Sequence, residues 1–544
     1  MNSRPLLIQG GKVIDPISHA GIVERDVLVH EGKIVATLPD GLSPEVINAT
    51  GMLVMPAGVD MHTHIASTGV NLARQMQSGV TFAGQPLVPS TFDTGRLYSA
   101  MGYTTAIEAA VSPSDARMAH LQLEDTPNLD SGILTLIDNN ETLIELIEKK
   151  DYPAARAFVA QMLHCTGALG MKVVNPAGVA SWRRDPACSQ IQTLDQLIPG
   201  CSYVTPRRIL QTLTQISEDL NLPHPTHIHG NRLGEPGNAQ ILMESIRAME
   251  GRRAHIAHLQ FYGYGATKKG QYTSAAQELC AFLEAHPNVT ADVGMVMFGD
   301  AFTITADTPL EYGLWQRTGS VARPAVFIES ECEAGVGVMP ASYDRTNRVH
   351  SLQWAIGLEL LLLAKNPWQI CLSIDHPNGG SFLHYPTIIA MLMNKALRDE
   401  ALAKAHPWAR KHSSLAQIDR EMTLEEIAII TRAAPARMLG IDAIKGSLMP
   451  DTDADLTICT FASEDSDTLF RVPDMVIRGG TLIAKCGKVV QELPGRRLRA
   501  KITVFQDDLK ASEHRSVSDR SICPTQFGLT TGEIAQMRQI TRKH

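Results

Sequence analysis

Val54-Met55-Pro56-Ala57-Gly58-Val59-Asp60-Met61-His62-Thr63-His64 is an apolar run that ends in two histidines separated by one residue. Read as a β-strand, its two-residue side-chain period places His62 and His64 on one face, at the strand's C-terminal end. Two neutral imidazoles so placed can hold a divalent metal ion from two sides. Pro56 and Gly58 give the run a sharp entry, and Asp60 stands just before the pair. A pair of hydrogen-bonded core histidines would look the same, so the test is whether later strands also end in metal-binding side chains.

Beyond this run, short β-rich stretches alternate with helical ones, the pattern of parallel βα units. Eight strands are predicted, at 54–64, 104–111, 132–138, 170–175, 226–230, 254–260, 289–297 and 370–375. Helical segments such as 141–163, 206–220 and 351–364 lie between them. Eight strands point to an α/β TIM (β/α)8 barrel, whose active sites lie at the C-terminal strand ends. The segment between the seventh and eighth strands is long and is expected to carry substrate-covering loops. Thr423 with Glu426 forms a capping-box pattern, opening a helix to about Leu439.

Both termini read as short strands with tight turns. Leu7-Ile8, Gly10-Gly11 and Lys12-Val13-Ile14 suggest one hairpin, and residues 26–35 a second. Near the other end, Ile477-Arg478-Gly479-Gly480-Thr481-Leu482-Ile483 resembles the stretch from Ile8 to Ile14. The ends are therefore expected to form one composite β-sandwich into which the barrel is inserted. Residues 1–53 and 441–500 make the sandwich, 54–440 the barrel, and 501–544 a C-terminal tail suited to subunit contacts.

At 544 residues the chain exceeds one ordinary core. Its 44% hydrophobic and 19% charged residues are a globular composition. The richest apolar run, Leu358 to Ala364, is too short to cross a bilayer. No signal-peptide pattern opens the sequence. Nine cysteines with no CxxC pair argue against a disulfide framework or an iron–sulfur cluster. These features predict a cytoplasmic protein without a membrane partner. A net charge of −8 disfavours a nucleic-acid partner. The basic run Arg496-Arg497-Leu498-Arg499-Ala500-Lys501 is expected to be solvated or subunit-contacting.

Later strands do end in donors. The fourth ends Gly170-Met171-Lys172-Val173-Val174-Asn175. A lysine inside an apolar strand is costly unless its charge is removed or paired. Carbamylation by carbon dioxide removes it and leaves a carboxylate able to bridge two metals; snorkelling to a rim is the other reading. The fifth strand gives His227-Ile228-His229 and the sixth His255-Ile256-Ala257-His258. His229 and His258, nearer the C-terminal ends, are the expected ligands. His227 is expected behind them or in the core, and His255 in a structural role. The eighth ends Ser373-Ile374-Asp375-His376-Pro377. Asp375 is placed to touch both metal and nucleophile, with His376 behind it; a turn residue before Pro377 is the alternative.

The order His-x-His, Lys, His, His, Asp is similar to the binuclear branch of the amidohydrolase superfamily, which includes dihydroorotases and hydantoinases. The segment from Ala436-Arg437-Met438-Leu439-Gly440 to Asp453-Ala454-Asp455-Leu456 resembles that superfamily's exit into its sandwich. Longer motifs resemble one family of polypeptides, found in formylmethanofuran dehydrogenase and in the formyltransferase/hydrolase complex. They are Lys172-Val173-Val174-Asn175-Pro176, the stretch from His229 to Asn238, Phe261-Tyr262-Gly263-Tyr264-Gly265, Thr305-Ala306-Asp307 and the stretch from Asp375 to Gly380.

That resemblance implies zinc-dependent hydrolysis of N-formylmethanofuran to formate and methanofuran, or the reverse condensation, within a multi-subunit one-carbon complex. It implies two divalent metal ions, zinc being the expected metal. His62, His64 and Asp375 would hold one, His229 and His258 the other, and N6-carboxylated Lys172 would bridge them. Asp375 would carry the proton, and Asn231, Arg232, Phe261, Tyr262 and Tyr264 would contact substrate. One alternative is a cyclic amide hydrolase of the dihydropyrimidinase or dihydroorotase type, which should lack the long continuation from Asn231 to Asn238. The other is a non-catalytic scaffold subunit, which should have lost ligands; all six are present.

Overall fold

The computed structural model describes residues 4–77, 79–188, 190–308, 310, 313–315, 336–461, 470–502 and 528–542, and the backbone of 326–328. Eight parallel strands form one sheet. In chain order they are Gly58–Thr63, Tyr103–Val111, Asp130–Leu136, Gly170–Val174, Thr226–His229, Ala254–Ile256, Val289–Asp292 and Ile370–Cys371, each beside the next. The first and last regions meet through a parallel bridge between Thr63 and His376, where the His64 N–H donates to the His376 carbonyl at 2.6 Å. The sheet thus closes into the expected TIM barrel. The first, third, fourth and fifth strands are buried along their whole length, as parallel strands covered on both faces must be.

The opening run is two strands, not one. Met52–Pro56 pairs antiparallel with Leu456–Thr460 in an outer sheet, and only Gly58–Thr63 belongs to the barrel. The crossing is at Ala57, whose N–H donates to Asp455 O at 3.0 Å, while Gly58 donates to Gly102 O at 2.8 Å. A Cβ on Gly58 would lie 2.5 Å from the Tyr103 ring, so only glycine fits where the chain passes between the sheets.

The outer sheet has nine strands. Its order is Lys488–Val489, Thr481–Lys485, Met475–Arg478, Leu456–Thr460, Met52–Pro56, Leu6–Ile14, Ile22–His30 and Lys33–Val35, with Glu45–Asn48 also beside Leu6–Ile14. Its two ends come together. Ala454 donates to Gly32 O at 2.9 Å and Gly480 donates to Ala454 O at 3.1 Å. Ile8, Val27, Val29, Val54, Leu456 and Ile477 share the core so enclosed, which makes this the expected sandwich of both chain ends. The first predicted hairpin is instead one strand. Gly10, at φ 69°, forms a β-bulge there and donates its N–H to Asp26 Oδ1 at 2.9 Å. Gly479-Gly480, by contrast, is a true turn between paired strands, so the likeness of the two stretches is one of sequence only.

Residues 141–163 form two helices, Glu141–Glu148 and Tyr152–Cys165. Lys150 takes φ 57°, and Asp151 caps the second helix by accepting the Ala154 N–H. The capping box at Thr423 and Glu426 forms as expected. Its helix runs from Leu424 to Met438 with a π-turn at Ile429–Ala433. That turn frees Ile430 O to accept the Leu372 N–H at 3.0 Å, and Arg432 Nε donates to Pro56 O at 2.8 Å, so the helix grips both sheets. Among the described residues no helix is long and apolar enough to cross a membrane.

A buried ionic network locks sandwich to barrel. Lys445 Nζ lies 2.6 Å from Asp130, the first residue of the third barrel strand, and 3.3 Å from Asp453. Arg496 reaches both carboxylates at 2.6 Å, and Arg538 reaches Asp453 at 2.8 Å. The basic run is therefore not a solvated face. Leu498–Ala500 is a buried strand paired with Arg538–Ile540. Residues 503–527 of the expected tail lie outside the described residues. Removing one partner of such a network leaves uncompensated buried charge. Lys445→Met should therefore cost about 3–5 kcal/mol, read as a lower thermal midpoint. An unchanged midpoint would mean that the network does not support the fold.

Candidate metal centre

Strand-end position brings all six expected donors to one place. His62, His64, Lys172, His229, His258 and Asp375 line a cavity of about 470 Å³ at the C-terminal mouth of the barrel. Asp375 Oδ1 lies 3.3 Å from His62 Nε2 and 3.2 Å from His64 Nε2. Across the cavity His229 Nδ1 lies 3.1 Å from His258 Nε2. Donors about 2.1 Å from one tetrahedral zinc stand about 3.4 Å apart, so both groupings fit a shared cation. Asp375 and His258 hold left-handed φ values of 50° and 33°, backbone strain of the kind that gathers at functional sites.

Three of the four rings are aimed from behind by a carboxylate. His62 Nδ1 is 3.0 Å from Asp292 Oδ2. His64 Nδ1 is 2.8 Å from Glu108 Oε1, and Glu108 Oε2 accepts the Ile65 and Ala66 N–H groups at 2.6 and 2.8 Å. His229 Nε2 faces Asp307 Oδ2 at 3.5 Å. A carboxylate behind a ligating imidazole fixes its tautomer and raises its basicity.

The electrostatics suit cation binding. Burial pushes His229 and His258 below their usual range, leaving neutral imidazoles, the form a metal takes. Burial also pushes His64 down, but Glu108 and Asp375 together outweigh it and raise the ring to about 9. Glu108 faces Nδ1 and Asp375 faces Nε2, so a cation shared with Asp375 would sit on the Nε2 side of the ring. Burial disfavours the Asp375 anion, yet His62 and His64 hold its carboxyl well below the usual range. Burial lowers the Lys172 amine to about 8 despite Asp292 and Asp375 nearby. This brings within reach the neutral amine, the form that attacks carbon dioxide.

Phe261 and Tyr264 line the cavity, whereas three other expected substrate contacts do not. Asn231 is buried, with its amide donating to Asn175 Oδ1 at 2.8 Å and Pro176 O at 2.9 Å. Arg232 pairs with Glu235 at 2.8 Å. The Tyr262 hydroxyl donates to Gly230 O at 2.9 Å, and its ring stacks on His258. His227 sits deeper, in register with Lys172 and His255, and its Nδ1 is 3.0 Å from His224 Nε2. His376 Nδ1 faces Gly380 O at 3.2 Å, behind Asp375. His255 is a support, as expected, with Nε2 3.1 Å from Asp292.

Sequence reasoning missed Glu108, Asp292 and Asp307. Glu108 is a charged residue within an otherwise apolar strand, the same signal that singled out Lys172.

The amidohydrolase family model matches residues 45–490. Protein FwdA of Methanocaldococcus jannaschii is 36% identical over 533 residues, covering 92% of each chain. The A component of the formyltransferase/hydrolase complex Fhc of Methylorubrum extorquens is 38% identical over 506 residues, covering 90% of each. A chain in the crystal structure of the formyltransferase/hydrolase complex FhcABCD from Methylorubrum extorquens with methylofuran superposes with a TM-score of 0.90 at 34% identity. That match covers 99% of this chain and 100% of that one.

Loss of the charge behind His64 gives a direct check on the ligand set. Glu108→Gln should weaken divalent-metal binding by about 10–100-fold in a chelator competition. Unchanged affinity would remove His64 from the set.

Proposed function

This chain belongs to the amidohydrolase family, and from that premise we propose that it hydrolyses N-formylmethanofuran to formate and methanofuran, or runs the reverse condensation. It does so as one member of a multi-subunit complex, and the site is a binuclear zinc centre. The observation that carries the reading is the full donor set facing one cavity, two imidazoles beside Asp375 and two more across from them. The substrate class comes from the relatives, which match over nearly the whole chain and include a component of a formyltransferase/hydrolase complex. All seven described cysteines are free, which suits the cytoplasm.

His62, His64 and Asp375 would hold one ion, His229 and His258 the other, with carboxylated Lys172 between them. When bound, such ions lower the pKa of water to about 7 and polarise a carbonyl. The chain's own residues do the rest. Asp375, an anion at neutral pH, takes the proton of the attacking water as oxygen adds to the formyl carbon. It returns that proton to the amine nitrogen as the C–N bond breaks. Asn378 holds Asp375 for this, its amide donating to Oδ1 at 3.0 Å. Val174, Leu233, Phe261, Ile304 and Val349 give the cavity apolar walls that exclude water. No arginine is among the described lining residues. That favours an uncharged formamide over an anionic ring such as dihydroorotate.

Formate release from N-formylmethanofuran by the purified complex tests the reading; turnover of dihydropyrimidines without formate release would overturn it. Asp375→Asn should lower kcat by about 10²–10⁴-fold, and a smaller loss would place the proton carrier elsewhere. Lys172→Ala should lose metal and regain part of it with short carboxylic acids. Retained metal at full rate would end the carboxylysine assignment.

A further inference from the structure

Two of the three carboxylates behind the histidines come from the barrel itself. Glu108 lies in the second barrel strand and Asp292 ends the seventh. Asp307 comes from outside the barrel. It stands two residues beyond Gly299–Thr305, a strand that pairs antiparallel with Val336–Tyr343. Thr303, Ile304, Thr305, Pro340 and Ala341 of this hairpin, whose connection spans residues 306–335 and includes a third strand at Val326–Ile328, line the cavity, so the pair covers the mouth.

The hairpin is pinned to the loop that carries Asp375. Ile304 N–H donates to Asn378 Oδ1 at 2.6 Å, Phe302 N–H to Pro377 O at 3.1 Å, and the Tyr343 hydroxyl to Asn378 O at 2.9 Å. Asp307 itself is fully buried. Its Oδ1 accepts the Asn175 amide at 2.8 Å, and Asn175 Oδ1 accepts the Asn231 amide at 2.8 Å. Its Oδ2 has no hydrogen-bond partner of normal length and points at His229 Nε2, 3.5 Å away. The other nitrogen of that ring, Nδ1, is the one turned to His258.

We propose that Asp307 is a positioning residue, by which docking of the covering hairpin completes the His229–His258 metal position. The His62–His64–Asp375 position is complete within the barrel. Resting on the binuclear reading, the proposal adds an order to it. With the proton of His229 held on Nε2 by Asp307, Nδ1 is left as the donor. Asn231 and Asn175 then serve to hold the carboxylate at that angle, which gives the motif from His229 to Asn238 a use besides substrate contact. Without the hairpin, His229 has no carboxylate behind it, whereas His62 and His64 keep theirs.

Metal stoichiometry decides it, measured on the full chain, in its complex where one co-purifies, by elemental analysis after graded dialysis against a chelator. Wild type should hold two divalent ions. Asp307→Asn, nearly isosteric, should hold one tightly and the second about 10–100-fold more weakly, with an unchanged thermal midpoint. Asp307→Glu should restore part of the second ion's affinity. Two ions of wild-type affinity in Asp307→Asn would overturn the proposal. So would equal weakening of both ions in a folded Asp307→Asn chain. A folded wild-type chain with a single ion would overturn the binuclear reading itself, and the proposal with it.

Discussion

One buried carboxylate, Asp292, governs how the centre is built. Its Oδ2 lies 3.0 Å from His62 Nδ1 and 3.1 Å from His255 Nε2; its Oδ1 accepts the His258 N–H at 3.2 Å and the Ser373 hydroxyl. A side chain from the seventh strand thus joins the first and sixth strands and the segment leading from the eighth, directly under the cavity. Burial favours its neutral form, but His62 and His255 hold it ionised, well below the usual range. An anion so enclosed persists only while its donors do, so ring orientation and strand position support each other. The way the rings face the cavity is a consequence of what lies beneath them.

Much of this was legible in the chain, and for one reason. Parallel barrel strands place their functional side chains at their C-terminal ends, and His62, His64, His229, His258 and Asp375 all show that position in the sequence. Lys172 was legible differently, as a charge in an apolar strand. Asp292, a charge within the seventh strand, carried that same signal unread. Asp307 was not legible, because an aspartate after a strand is an ordinary turn or cap residue and only proximity gives it a histidine to hold. The same limit explains Asn231 and Tyr262. Their place in a loop suggested substrate, whereas packing turns both side chains toward neighbouring backbone and amides.

The errors of architecture have local causes. Residues 54–64 are buried throughout, on both sides of the crossing, so periodicity gives no sign of the change of sheet at Ala57. Gly10-Gly11 has turn composition, yet a bulge needs a left-handed residue just as a turn does. The basic run from Arg496 to Lys501 read as solvated or subunit-contacting because the partners of Arg496, Asp130 and Asp453, are remote in sequence. Charge patterning alone cannot separate a wet face from a buried lattice of opposite charges.

The barrel's seam has a consequence for the protein's birth. The bridge from Thr63 to His376 joins the first strand region to the last, and His64 and Asp375 stand on either side of it, 3.2 Å apart. During synthesis the two histidines leave the ribosome near the start of the barrel, and Asp375 emerges only after all eight strands have been made. The pairing of His64 with Asp375 therefore cannot exist on the nascent chain until the ring shuts, and the mouth of the barrel is the last part of it to be assembled.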